Sequence, residues 1–240
     1  MSVARLRLAP VGETMFPPRA PFLDIEGAFA SRSPVIRDAV RDERLRLFLA
    51  LRLPDVVRDR LAAWADDHAR GAGRLVPRED LHVTLAFLGS RPAGELDAIV
   101  AALREAALAA GSIELAPAGW RETRSVGMVR LDDAGGAAGR LAVDLHQRLE
   151  GLGVYRREAR PWLAHVTVVR SRQRPRLRPP LPELGSFAPS DASVYLSRLH
   201  PSGARYEVLA STPLGGTGRT GKRHSTSRSA RSSASSARAP

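Results

Sequence analysis

The sequence predicts an α+β fold built from short antiparallel strands and a few amphipathic helices. Strand-length stretches alternate between apolar and polar residues, such as RLRLFLALRL at 44–53. Other stretches carry apolar residues at helical spacing, and HPSG at 200–203 is a turn sequence typical of a hairpin. The tripeptide His-Val-Thr occurs twice, at 82–84 and 165–167, each time inside an apolar run.

The composition narrows the classes of chemistry that the chain can perform. Its 240 residues include 37 Lys or Arg, 25 Asp or Glu and no cysteine, for a net charge of +12. The lack of cysteine excludes disulfides, zinc–thiolate sites and thiol nucleophiles. Lys222 is the only lysine. Arginine suits phosphate because its guanidinium donates two hydrogen bonds to one anion, although a GC-rich genome would give the same bias.

No apolar run approaches the ~18 residues of a membrane span, and the first residues contain no stretch long enough for a signal peptide. We therefore expect a cytoplasmic protein without membrane partners.

The first half predicts two strands and two helices. Residues 1–43 show no sustained period and are expected to form a poorly ordered extension. A strand at 44–53 precedes a helix that begins at Pro54 and ends at the glycines of 71–73. The first His-Val-Thr strand follows, and then a helix from 95 to about 110. The apolar positions of the two helices are Val57, Leu61, Trp64 and Ala65, then Leu96, Ile99, Val100, Leu103 and Ala107.

The second half repeats this theme less clearly. SIELAPA at 112–118 and VGMVRL at 126–131 are predicted strands around a turn in RETRS, 121–125. A helix with Leu141, Leu145, Leu149 and Leu152 on one stripe leads to the second His-Val-Thr strand. The Pro- and Arg-rich segment 171–185 can be neither a helix nor a central strand. The Gly/Ser/Arg-rich residues 215–240 are expected to be a disordered basic tail, which leaves 44–214 as the folded domain.

The repeated tripeptide carries the chemistry. Alternate side chains of a strand point to opposite faces, so His82 and Thr84 share one face, and His165 and Thr167 share one face. Two such strands across a groove would surround a small ligand with two imidazoles and two hydroxyls. This set suits acid–base cleavage of a phosphodiester, in which one histidine takes a proton and the other gives one. The threonine hydroxyls can donate to phosphate oxygens, and neither a metal nor a cofactor is required.

Two alternatives concern the histidines. A histidine near a threonine on one strand is often structural, with its ring bonded locally, although the second copy weakens that interpretation. Histidine is also a common zinc ligand, yet catalytic zinc sites usually have three His or carboxylate ligands, and neither motif has a third ligand beside it.

On these residues the chain resembles the two-histidine (2H) phosphoesterases, and most closely the bacterial RNA 2′,3′-cyclic phosphodiesterases, also called 2′-5′ RNA ligases. Paired His-x-Thr-x tetrads define that family, and here they are HVTL and HVTV. Four stretches carry the resemblance: RLFLALRLP (46–54), VPREDLHVTLAFLG (76–89), RPWLAHVTVVR (160–170) and GARYEVLASTPL (203–214).

The resemblance implies a bilobal, pseudo-twofold domain, with two antiparallel sheets flanked by helices and both tetrads in a central groove. It implies metal-independent hydrolysis of a terminal 2′,3′-cyclic phosphate of RNA to a 2′-phosphomonoester. His82 would be the proton donor to the O3′ leaving group, His165 the proton acceptor from water, and Thr84 and Thr167 would hold the phosphate. The reverse reaction, with an RNA 5′-hydroxyl as nucleophile, would make a 2′-5′ linkage.

Substrate contacts are less sharply implied. The family often has arginine at the position of Arg170, which an ideal strand would turn away from Thr167 unless a bulge intervenes; a solvated strand-end charge is the alternative. Ala164 replaces a common proline, and VGMVRL lacks the usual aromatic residue, which bears on contacts to the base. The expected partner is RNA with cyclic phosphate ends, or a small cyclic nucleotide, bound by a monomer.

Two other functions are compatible with the same residues. One is a related phosphodiesterase that acts on another cyclic or 2′-5′ nucleotide. The other is a non-catalytic RNA-binding module that uses the groove and the basic segment 170–178.

Overall fold

The computed structural model describes residues 43–200 and 203–215. In this part of the chain, three α-helices alternate with eight β-strands. The helices are α1 (Asp55–Ala69), α2 (Leu96–Ala109) and α3 (Ala137–Gly151). The strands are β1 (Arg44–Arg52), β2 (Arg74–Leu75), β3 (His82–Pro92), β4 (Ala116–Glu122), β5 (Val126–Asp132), β6 (His165–Arg170), β7 (Asp191–His200) and β8 (Gly203–Thr212).

All eight strands join one curled antiparallel sheet in the order β4-β5-β6-β3-β1-β7-β8, with β2 also pairing with β6. The sheet has two halves of four strands each, because only one residue pair, Val83 with Val166, connects β3 to β6. The α+β class is thereby confirmed. The two predicted antiparallel sheets are these halves, and the single pair makes them continuous.

One apolar core lies between the helices and one face of the sheet. In β1 the leucines Leu47, Leu49 and Leu51 point into this core together with the buried side chains of all three helices. The intervening Phe48 and Ala50 point to the opposite side, where they form a separate cluster with Tyr195. We call this second side the open face; it carries Phe48, Ala50, His82, Thr84, His165 and Thr167.

The predicted elements are present with three local differences. The strand predicted at 112–118 begins only at Ala116. Strand β4 includes Arg121 and Glu122, which the sequence placed in a turn. The strand continues because Trp120 packs against Trp64 of α1 and donates a hydrogen bond to the Glu122 carboxylate at 3.1 Å. Leu152 does not join the buried stripe of α3; it lies just after the helix and is exposed.

The Pro- and Arg-rich segment 171–185 contains neither helix nor strand, as predicted. Strands β7 and β8 pair antiparallel from their meeting point at His200 and Gly203, which confirms the hairpin. The predicted N-terminal extension and basic tail lie, apart from residues 43 and 215, outside the described residues and stay predictions. No helix among residues 43–200 and 203–215 is both long and apolar enough to cross a membrane.

Replacing Gly127 of β5 by alanine is expected to destabilise the fold. A methyl group there would overlap the Trp120 ring and lie 2.8 Å from Cγ1 of Val169. Overpacking of this kind costs about 1–3 kcal/mol in the free energy of unfolding, which urea denaturation measures. Gly135→Ala is the matched control, because no heavy atom lies within 4 Å of its added methyl group. Equal unfolding midpoints for the two variants would contradict this account of the packing.

Candidate active site

The two His-Val-Thr strands are adjacent in the sheet, and their shared register places four polar side chains together. Val83 and Val166 are partners, and both are almost fully buried in the core. Because β3 and β6 run antiparallel, this register sets His82 opposite Thr167 and Thr84 opposite His165, all on the open face. All four residues are partly exposed. The structure therefore brings together the four side chains that the sequence selected.

Both imidazoles are oriented in the same way. Nδ1 of His82 lies 2.6 Å from the carbonyl oxygen of Asp80, and Nδ1 of His165 lies 2.8 Å from that of Leu163. A carbonyl oxygen only accepts, so each Nδ1 carries the hydrogen and each Nε2 is left without it. In both motifs the partner is two residues upstream of the histidine. Each ring thus keeps Nε2 available for a proton exchanged with a ligand.

The surroundings of His82 are aromatic. Its ring centroid lies 4.9 Å from that of Phe48, 5.6 Å from that of Tyr206 and 5.9 Å from that of Tyr195. Burial and, to a smaller extent, the nearby charges of Arg170 and His165 lower the pKa of His82 to about 4. The hydrogen bond to the Asp80 carbonyl opposes this shift. His82 is therefore neutral at neutral pH in the protein alone.

His165 is neutral for a similar reason. Burial lowers its pKa, the hydrogen bond to Leu163 opposes that shift, and the charges of Arg160 and Arg121 add to it. A reaction that needs one protonated imidazole therefore requires that a histidine take up a proton when the substrate binds. A bound anion promotes this uptake, because it favours the charged form of a histidine beside it.

A β-bulge follows Thr84 in β3. Thr84 pairs with Ala50, whereas Ala86 pairs with Leu49, so Leu85 is an extra residue in the strand. The carbonyl of Thr84 accepts a hydrogen bond from Trp162 Nε1 at 2.9 Å, and Nε2 of His146 lies 2.8 Å from the carbonyl oxygen of Leu85. These two side chains provide hydrogen bonds to backbone carbonyl groups that have no partner in the irregular strand pairing.

The bulge turns Phe87 onto the open face. Phe87 pairs with Phe48, the two ring centroids are 5.9 Å apart, and the Phe87 side chain is 61% exposed. Phe87 is not among the residues predicted from the sequence, because strict alternation from Thr84 assigns it to the core side.

A second bulge lies at the same place in β6. Thr167 pairs with Met128 and Val169 with Gly127, so Val168 is the extra residue. The Val168 carbonyl accepts a hydrogen bond from the backbone N–H of Val76 at 2.9 Å. Val168 and Val169 are both buried, and Arg170 is brought to the face of Thr167. The sequence had allowed such a bulge without requiring it.

Phe87 and Arg170 line one cavity of about 410 Å³ on the open face. Arg46, Phe48 and Tyr206 line it as well. Each of the first two residues stands three positions after the threonine of its motif. Comparing the two motifs at that offset would have pointed to Phe87 from the sequence.

Within residues 43–200 and 203–215, no group of three or more His, Cys, Asp or Glu side chains is arranged to hold a metal ion. The expectation of a metal-independent reaction stays a prediction, and chelation tests it.

Known phosphoesterases are similar to this chain in sequence. The family model of LigT-like phosphoesterases matches residues 51–120, which include the first His-Val-Thr motif. The chain is 29% identical over 169 residues to the RNA 2′,3′-cyclic phosphodiesterase of Escherichia coli, covering 70% of this chain and 95% of that protein. It is 26% identical over 194 residues to the protein of the same name from Geobacillus stearothermophilus, covering 75% of this chain and 61% of that protein.

Solved structures share the fold. The apo form of E. coli LigT matches with a TM-score of 0.61 at 26% identity, over 72% of this chain and 99% of that one. A protein of Thermus thermophilus, TT0787, matches with a TM-score of 0.61 at 28% identity, over 72% and 100%. E. coli LigT complexed with 3′-AMP matches with a TM-score of 0.63 at 24% identity, over 72% and 99%.

The state of His82 is open to direct measurement. We expect its imidazole to titrate near pH 4 in the protein alone, because burial against aromatic rings disfavours the charged form. Saturating inorganic phosphate should raise this pKa, since an anion beside the ring favours protonation. Imidazole NMR signals followed against pH, and assigned with His82→Asn, give both values. A His82 pKa that phosphate leaves unchanged would contradict an anion site at this histidine.

Proposed function

We propose that this chain, which belongs to the LigT-like, two-histidine phosphoesterases, hydrolyses the 2′,3′-cyclic phosphate at the end of an RNA. The product is a 2′-phosphomonoester, and two histidines act as the acid and the base. The observation that carries the proposal is the single register pair of β3 and β6, which assembles both histidines and both threonines on one face. A structural role for one histidine would not require this pairing. The names of the two curated relatives support the substrate class.

In the proposed reaction, Thr84 and Thr167 donate their hydroxyl hydrogens to the non-bridging oxygens of the phosphate. Nε2 of His165 takes a proton from a water molecule, whose oxygen attacks phosphorus. The bond between phosphorus and O3′ breaks, and Nε2 of His82 gives its proton to O3′. The 2′-phosphate product leaves, and exchange with solvent returns both imidazoles to their starting states.

The low pKa of His82 fits the role of acid once substrate is bound. The anionic cyclic phosphate favours its protonation, while the aromatic rings and Arg170 make the protonated ring a strong acid. The direction of proton transfer comes from the family resemblance, since both histidines have lowered pKa values and the same orientation.

Arg170 and Phe87 contact different parts of the substrate, the phosphate and the base. The Arg170 guanidinium lies on the open face near His82, where it can stabilise the charge that builds on the phosphate. Phe87 presents an exposed ring in the same cavity, and RNA bases stack on such rings. With a 5′-hydroxyl in place of water as the nucleophile, the same groups and the same direction of proton transfer join two strands by a 2′-5′ linkage.

Replacing either catalytic histidine tests the proposal. His82→Ala and His165→Ala should each lower kcat on a 2′,3′-cyclic nucleotide by about 10²–10⁴-fold, the usual contribution of a positioned acid or base. The matched control is His68→Ala, because His68 is an exposed residue of α1 that contacts Trp64. Chromatography of the released nucleotide measures the rates. Either active-site variant turning over like His68→Ala would refute the two-histidine mechanism.

The isomer of the product shows which bond of the cyclic phosphate breaks. The effect of a chelator shows whether the reaction needs a metal. RNA ending in a 2′,3′-cyclic phosphate should yield only the 2′-phosphomonoester, at the same rate with and without EDTA. A 3′-phosphomonoester would mean that O2′, not O3′, is the leaving group, and a loss of activity in EDTA would require a metal.

Phe87→Ala should raise KM for cyclic nucleotides by roughly tenfold or more with a small change in kcat, because stacking of one base contributes about 1–3 kcal/mol. Leu108→Ala is the matched control, since Leu108 is a comparably exposed apolar residue of α2. Steady-state kinetics of both variants gives the two constants. A KM that stays at the native value would place the base elsewhere.

A further inference from the structure

The half of the sheet that carries His165 has arginines on its open face. Arg130 of β5 is the register partner of His165, so the two side chains are neighbours on one face. Arg121 of β4 is the partner of Met128, which is in turn the partner of Thr167. Both arginines therefore lie outward from β6, one and two strands away, at roughly 5 and 10 Å.

The backbone makes room for these guanidinium groups. Gly119 of β4 is the register partner of Arg130, and a methyl group on it would stand 3.9 Å from Cζ and 4.0 Å from Nη1 of Arg130. The guanidinium thus extends over Gly119, away from His165 and towards the strand of Arg121. Arg121 is close enough for its charge to act on His165.

Neither guanidinium is neutralised within the described part of the chain. The side chains of Arg121 and Arg130 form no ion pair or hydrogen bond among residues 43–200 and 203–215. Two other arginines near the site are paired: Arg52 with Asp191 at 3.5 Å and Arg160 with Glu158 at 2.6 Å. Two unpaired guanidinium groups on neighbouring strands suit an anion that can accept hydrogen bonds from both, and phosphate is such an anion.

We propose that Arg121 and Arg130 form a second phosphate subsite. It binds the 3′-phosphate of the nucleotide whose 5′-oxygen is bonded to the reacting phosphorus in a 2′-5′ linkage. The inference rests on the proposed function, in which His165 stands on the side of the attacking oxygen. The substrate class that uses the subsite is a polynucleotide extending past the histidine pair, with a 2′-5′ linkage at the reacting phosphorus.

The reaction that reports on this subsite is cleavage of a 2′-5′ linkage. The 3′-hydroxyl oxygen attacks phosphorus, and its proton passes to His82. The bond between phosphorus and the 5′-oxygen breaks, and His165 gives a proton to that oxygen. A 2′,3′-cyclic phosphate and a strand with a 5′-hydroxyl are formed, and the next phosphate of that second strand is the group that Arg121 and Arg130 would hold.

Two substrates that differ by one phosphate isolate the subsite. The first is a dinucleotide with a 2′-5′ linkage and a free 3′-hydroxyl on its second nucleoside; the second carries a 3′-phosphate there. The native protein should cleave the phosphorylated substrate with a kcat/KM about tenfold higher, the gain expected of one charge-assisted hydrogen bond. In Arg121→Gln/Arg130→Gln this ratio should fall to near one.

The matched control is Arg104→Gln, which removes one positive charge from the exposed surface of α2 and should keep the native ratio. The ratio compares two substrates on one protein, so a general loss of activity in a variant does not affect it. The single variants Arg121→Gln and Arg130→Gln serve if the double variant does not fold.

The subsite is refuted if the native protein gains nothing from the extra phosphate, if it cleaves neither dinucleotide, or if the gain survives in the double variant. Hydrolysis of a 2′,3′-cyclic mononucleotide, measured on the same preparations, separates the two hypotheses. Its presence without the gain overturns only the subsite, whereas its absence in the native protein overturns the proposed function as well.

Discussion

The site depends on one contact in the sheet, the pairing of Val83 with Val166. Each valine is buried in the core, so each neighbouring histidine and threonine is forced to the other face. A slip of one residue in either strand would bury the polar side chains and expose the valines, at the cost of two apolar side chains and several unpaired polar groups. The hydrophobic core therefore fixes the relative positions of these two histidines and two threonines.

The same core places demands on the backbone around the site. Bulges after Thr84 and Thr167 leave carbonyl groups without strand partners, and the fold supplies donors for them from Trp162, His146 and Val76. His146 is a residue of α3, so a helix on the far side of the sheet holds the strand that presents His82. These contacts let each strand form a bulge whose extra residue, Leu85 or Val168, stays buried in the core.

Much of this arrangement could be predicted from sequence alone. Strand alternation and the repeated tripeptide identified the four central side chains, because their burial pattern has a period of two over a short range. Phe87 escaped this logic and Arg170 stayed undecided, since a bulge depends on pairing with a strand that is distant in sequence. Arg121 was assigned to a turn because its strand continues through pairing with β5 and through the contact of Trp120 with α1, neither of which its own residues reveal. The two-residue β2 likewise has no pattern of its own.

The equivalent bulges also bear on how a nearly symmetric site can tell one end of a ligand from the other. Two matching histidines and two matching threonines would accept a phosphodiester equally well in either orientation. At the offset where each strand changes face, one motif supplies an aromatic ring and the other a positive charge. A nucleotide has a flat base at one end and anionic oxygens at the other, so this difference between the two motifs gives the open face a polarity.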